Sequence, residues 1–164
     1  MLRAAGAFLL TAGSTAAGLS SALRLRRKAA ALRELEDALR LMEGEISTTA
    51  APLPEICERL GRLHGTGGSF FRAVSEELGA LGERPAAELW ARAAEKCRGI
   101  PPEIGEMGIW IGRYDREREL RALEDTRQRL RALREETEEK STREFRTRTA
   151  IGFASGAAAA ILLM

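Results

Sequence analysis

The chain has 164 residues, of which 30% are charged, and a formal net charge of +2 from 26 Lys and Arg against 24 Asp and Glu. Acids and bases are interleaved, which excludes the sustained basic excess of a nucleic-acid-binding protein. Charge is segregated along the chain instead. No ionisable side chain occurs from Ala4 to Leu23 or from Thr149 to Met164, and apart from Arg3 every Lys, Arg, Asp and Glu lies between Arg24 and Arg148. This layout predicts one water-facing domain of modest size, residues 24–148, between two transmembrane helices, residues 1–23 and 149–164.

The first segment is rich in Ala, Gly, Ser and Thr, with Phe8, Leu9 and Leu10 as its strongest apolar residues. Twenty uncharged residues in a helix span about 30 Å, the thickness of the hydrocarbon core. Arg3 and the small residues Ser20-Ser21-Ala22 also fit a cleaved signal peptide. The basic block Arg24, Arg26, Arg27 and Lys28 that follows opposes translocation of the middle, which favours a retained anchor. The alternative is an exported helical protein with a cleaved signal and a C-terminal anchor.

From Leu25 the apolar positions Leu25, Leu32, Leu35, Leu39, Met42 and Ile46 follow the alternating three-and-four spacing of a helix with one buried seam. Gly44, near its end, marks close packing or fraying. A break over Thr48–Pro54 leads into a helix carrying Leu53, Ile56, Leu60 and Leu63, with Pro52 and Pro54 at its start. Gly65, Gly67 and Gly68 predict a flexible turn. Phe70, Phe71, Val74, Leu78 and Leu81 mark a third helix, and Leu89, Trp90, Ala93 and Cys97 the inward face of a fourth that starts near Pro85. After a break at Gly99–Pro102, a fifth element carries Ile104, Met107, Ile111 and Tyr114.

The last helix is expected from about Asp115 straight into the second apolar segment, with Leu120, Leu123, Leu130 and Leu133 as a sparse stripe. Arg127 and Arg134 fall on that seam, which argues against a long zipper and for a single seam packed on the domain. Sixteen residues after Arg148 reach only about 24 Å, so insertion there is marginal without a packing partner. Gly152, Gly156 and Ala160 recur every four residues and form a small-residue ridge suited to close helix packing in a membrane. Basic residues flank the middle at both ends, with Arg143, Arg146 and Arg148 before the second segment. The positive-inside rule therefore puts the domain in the cytoplasm.

Motifs of catalysis are missing: the sequence has no P-loop, GxGxxG, GxSxG, CxxC or HExxH. Gly65-Thr66-Gly67-Gly68 lacks the Lys-Ser/Thr of a phosphate cradle. A zinc site would need Cys57, Cys97, His64 and a carboxylate to converge. The expectation is an all-α protein, a compact bundle of about five to six helices between two membrane helices. It is expected to bind rather than catalyse, with no cofactor, no metal and no small-molecule substrate.

Several short segments also follow one another in a known order. They are the opening Met1-Leu2-Arg3, the helix from Leu32-Arg33-Glu34-Leu35 to Glu43-Gly44-Glu45-Ile46, and Pro52-Leu53. Ile111-Gly112-Arg113-Tyr114-Asp115-Arg116 and the ending Ile151-Gly152-Phe153 through Ile161-Leu162-Leu163-Met164 complete the series. In these the chain resembles the stage III sporulation protein AB family of endospore-forming bacteria. The resemblance implies a subunit of the transenvelope complex joining mother cell and forespore, lying on the mother-cell side of the outer forespore membrane. It also implies a domain similar to that of type II secretion inner-membrane platform proteins. The implied partners are other subunits of the complex and an ATPase of the stage III sporulation protein AA type. Glu43, Glu45, Asp115 and Arg116, which fall within the matched segments, are its candidate partner-face residues.

Overall fold

The computed structural model describes the backbone of residues 2–49, 51–112 and 115–163, and the side chains of residue 20 and of residues 22–49, 51–112 and 115–147. The helices, in order, are α1 Leu2–Thr48, α2 Leu53–Leu60, α3 Gly65–Glu77, α4 Ala86–Lys96, α5 Pro102–Met107 and α6 Arg116–Leu163, with a 3-10 turn over Leu78–Ala80. Extended pairing among the described residues is limited to an isolated bridge between Leu81 and Arg84. The all-α class expected from the sequence is what forms. The segment expected to be the first anchor and the first domain helix are one element of 47 residues. No Gly or Pro interrupts the chain between Ser20 and Ala30 to end it.

Two compact units divide the chain, one of Ala30–Arg134 and one joining Met1–Ala29 to Glu135–Met164. In the second unit, small side chains are the buried ones: Ala22 and Ala29 from α1, Thr137 and Ser141 from α6. Lys28 and Lys140 both act on the Glu136 carboxyl, which is held below its usual range first by a hydrogen bond from Lys140. No helix among the described residues is long and apolar enough to cross a membrane. The side chains of the two segments expected in the bilayer, 1–23 and 149–164, lie outside the described residues except for Ser20, Ala22 and Leu23.

The Ala30–Arg134 unit holds the core. Leu32, Leu35, Leu39, Met42 and Ile46 of α1 are all buried, as their spacing requires, and share one cluster with Leu123 and Leu130 of α6. At its centre Phe70, Phe71 and Trp90 meet edge to face, with ring centroids 5.2–5.8 Å apart. The Trp90 indole N–H donates to the Ile104 carbonyl at 2.7 Å, so this large ring is buried without an orphaned donor. Gly108 is small because a side chain there would meet the indole at 2.6 Å.

Three details differ from the sequence reading. The glycine turn is the first turn of α3, not a slack connection. Gly65, at φ +80°, lets the Thr66 N–H donate to the Glu34 carboxylate at 2.6 Å. A methyl on Gly67 or Gly68 would strike the Glu34 or the Leu63 carbonyl. Close approach is thus the reason for the glycines. Cys97 lies beyond α4 as its extended C-cap, and Leu81 is 47% exposed.

The third difference is the α6 seam. Arg127 pairs with Glu43, and Arg134 with Glu36 at 3.2 Å. The partners are seven residues apart on each helix, with numbers rising on one as they fall on the other. Arginines on the seam therefore form rungs of an antiparallel helix pair, because α1 supplies a carboxylate at the facing heptad position. Tyr114 lies outside the described residues.

Candidate functional site

Helix starts in this domain rely on proline. Pro52 and Pro85 are the N-caps of α2 and α4, both extended, and neither helix has a side-chain cap. A fixed φ and a missing N–H suit these positions. The start of α6 is capped differently, by Asp115, whose Oδ1 accepts the Arg118 N–H at 3.2 Å.

These three starts surround an apolar groove of about 720 Å³ within the Ala30–Arg134 unit. Pro52, Pro54 and Pro85 stiffen its walls, Leu53, Ile56 and Ala86 supply apolar surface, and Arg84 and Arg116 stand at its polar edge. Gly112, at φ +77°, turns the chain beside Ala86 and Leu53, which a Cβ there would meet at 3.5 and 3.7 Å. Glu119 reaches into the same groove and accepts the Gly112 N–H at 3.3 Å. Burial raises the Glu119 carboxyl above its usual range, and the Gly112 hydrogen bond only partly opposes this. The neighbouring Cys57 thiol is pushed up to about 12, by burial first and by the Glu119 charge second, so it stays protonated and inert.

The four sequence candidates lie in this unit, each engaged within it. Glu43 pairs with Arg127, and Glu45 with Arg59 of α2 at 3.2 Å. Asp115, besides capping α6, pairs with Arg118 at 2.9 Å. Arg116 donates to the Ser47 carbonyl and so ties the start of α6 to the end of α1. Arg116 alone among them lines the groove with Glu119, while Glu45 belongs to an exposed strip of α1 that also carries Asp37, Arg40 and the half-exposed Leu41. Gly152, Gly156 and Ala160 fall in the part of α6 whose side chains lie outside the described residues.

Sequence reasoning missed Arg84, Glu119 and the exposed pair Ile109–Trp110. The available signal was that three of the five prolines, Pro52, Pro54 and Pro85, line a single groove. Their distance in sequence hides that convergence. Among the described residues no group of three His, Cys, Asp or Glu side chains is placed to hold a metal ion. Cys57 and Cys97 are both free thiols.

A family model described as stage III sporulation protein AB matches residues 3–164. The chain belongs to the stage III sporulation protein AB family. No curated protein and no solved structure matches it. The family match takes in the helical domain and both apolar ends. Segments that suggested the stage III sporulation protein AB family also do visible structural work. Glu34 caps α3, Leu32 and Leu35 are core, and Gly112 makes the left-handed turn before α6.

Proposed function

We propose that the chain is a non-catalytic platform subunit of the mother cell–forespore transenvelope complex that endospore formation requires. Two membrane helices, 1–23 and 149–164, hold the helical domain on the cytoplasmic, mother-cell side of the outer forespore membrane. There it binds neighbouring subunits and an ATPase of the stage III sporulation protein AA type. The observation that carries this reading is the family match across residues 3–164. The segregation of charge supports it: every Asp and Glu lies in the middle, and Arg and Lys flank both uncharged ends.

The ATPase contact falls on the exposed strip of α1. Leu41 is 50% exposed there, and the strip carries both signs of charge around it. Glu45 is the member of the original candidates that lines it, while Glu43 and Arg116 tie α1 to α6 and Asp115 caps α6.

Co-purification of the detergent-solubilised full chain with the ATPase tests the proposal. Capture by the parent chain, lost in Leu41→Asp and kept in Arg62→Glu in the exposed turn after α2, is the expected result. Failure of the parent to retain the ATPase, or equal capture by Leu41→Asp, overturns the assignment.

A further inference from the structure

The exposed strip of α1 has the form of a helix-docking surface. Asp37, Arg40, Leu41 and Gly44 stand at positions i, i+3, i+4 and i+7, and Leu41, Gly44, Glu45 and Thr48 repeat that spacing about one turn later. Four residues so placed frame the hole that receives one side chain of a facing helix. The residues lining the strip therefore make two consecutive holes that share Leu41 and Gly44.

Gly44 is what lets a second helix come close. Glycine inside a helix is destabilising relative to alanine, and in α3 the fold explains it: Gly67 lies on the Glu34 carbonyl and Gly68 on the Leu63 carbonyl. A Cβ on Gly44 would meet nothing within 4 Å, so no contact inside the domain calls for a missing side chain there. The surface around it is ready to be covered. The Ser47 and Thr48 hydroxyls both donate to the Gly44 carbonyl, at 3.0 and 2.6 Å, so burying them orphans no donor. Leu41 stands 50% exposed beside them. Asp37 and Arg40 are exposed, and among the described residues neither side chain has a partner. Glu45, by contrast, is held by Arg59 at 3.2 Å and by the Thr49 hydroxyl at 3.0 Å.

We infer that the strip receives an amphipathic helix of the ATPase, packed across α1 at Gly44 and carrying two aliphatic side chains three or four residues apart. The inference rests on the ATPase reading and adds the form that its contact takes. Each aliphatic side chain fills one hole, and the bare backbone at Gly44 lets the two helices approach. Beside the first hole the partner presents an acid to Arg40 and a base to Asp37, the two charges that the domain leaves unmatched. The partner element is a helix and not a strand because α1 offers no sheet edge: its backbone groups are bonded within the helix.

Titration of the detergent-solubilised full chain with the ATPase tests this, with circular dichroism confirming helix content for each variant. Gly44→Leu, whose side chain fills the shared corner of both holes, and Arg40→Glu are each expected to weaken binding at least about tenfold, while Arg62→Glu leaves it unchanged. A photo-reactive p-benzoylphenylalanine in place of Thr48, at the edge of the strip, is expected to cross-link to ATPase residues spaced three or four apart. Cross-links to alternate residues, as from a strand, overturn the inference, and so do cross-links to a second copy of this chain. A parent that binds the ATPase and loses it in Leu41→Asp, yet binds undiminished after Gly44→Leu and Arg40→Glu, overturns this inference alone and leaves the ATPase on the strip. A parent that does not bind the ATPase overturns the reading on which the inference rests as well.

Discussion

Gly44→Ala and Gly68→Ala add the same methyl group to two helices of one domain, and the structure gives them opposite signs. A Cβ on Gly44 meets no heavy atom within 4 Å, so the outer face of α1 is open there. The change removes backbone freedom from the unfolded chain at no steric cost, a gain of about 0.5–1 kcal/mol. A Cβ on Gly68 would sit 1.9 Å from the Leu63 carbonyl oxygen and 2.5 Å from its carbon, against an ordinary contact beginning at 3.4 Å. Relief requires the first turn of α3 to move by more than an ångström. That turn is pinned by the Thr66 N–H on Glu34 and by Gly67 lying on the Glu34 carbonyl. An overlap this deep with backbone falls at the upper end of overpacking costs, about 3 kcal/mol, and the helix preference of Ala returns about 1 kcal/mol. The net expectation is a loss of about 2 kcal/mol.

At about 4 °C per kcal/mol for a domain of this size, Tm rises by about 2–4 °C in Gly44→Ala and falls by about 8 °C in Gly68→Ala. Thermal melts of the full chain in detergent, followed by far-ultraviolet circular dichroism, measure both. An unchanged or raised Tm in Gly68→Ala would refute the account of Gly65–Gly68 as a close-packed helix start. A lowered Tm in Gly44→Ala would show that α1 is covered where the structure leaves it open.

Glu119→Gln is expected to stabilise the chain near neutral pH. The folded carboxyl titrates above its unfolded value of about 4.3, so the folded state binds more protons in that interval and stability falls as pH rises through it. The advantage of the variant in denaturant titrations should therefore disappear below about pH 4; an advantage that grows as pH falls would reverse the sign. Trp90→Phe strands the buried Ile104 carbonyl and should cost about 1–3 kcal/mol by the same titrations, whereas a neutral result would remove that bond from the core account. A double-mutant cycle on Glu36→Ala and Arg134→Ala is expected to give a coupling of about 1 kcal/mol, and zero coupling would deny the rung its role. In the folded chain a thiol reagent should modify Cys97, which is partly exposed, and spare Cys57 until unfolding. Rapid labelling at Cys57 would contradict its burial.

The seam of α1 was legible because one helix carries the pattern: Leu32, Leu35, Leu39, Met42 and Ile46 repeat at helical spacing and are buried, while Leu25, where the seam was expected to start, is half-buried. Ile104, Met107 and Ile111 were legible for the same reason. Arg127 and Arg134 were not, because their meaning lies in Glu43 and Glu36, 84 and 98 residues away, and periodicity within α6 cannot supply a partner's register. Gly65–Gly68 reads as a turn from composition alone. Only the approach of Glu34, Ala38 and Leu63 shows it to be a helix start. The groove escaped notice because its prolines, arginines and Glu119 come from separate stretches that meet only in the fold. Trp110 was missed because it adjoins the buried Ile111 in a turn, where no period separates inside from outside.

The central claim is a helical domain held on the cytoplasmic side by both of its ends. Its most direct test is a compartment-sensitive reporter inserted after Gly99, an exposed residue at φ +85° in the turn between α4 and α5, well apart in sequence from the groove and the α1 strip. The account predicts a cytoplasmic signal that stays with the membrane fraction. A signal from the other side of the membrane would contradict the topology and remove a cytoplasmic ATPase from the proposed function.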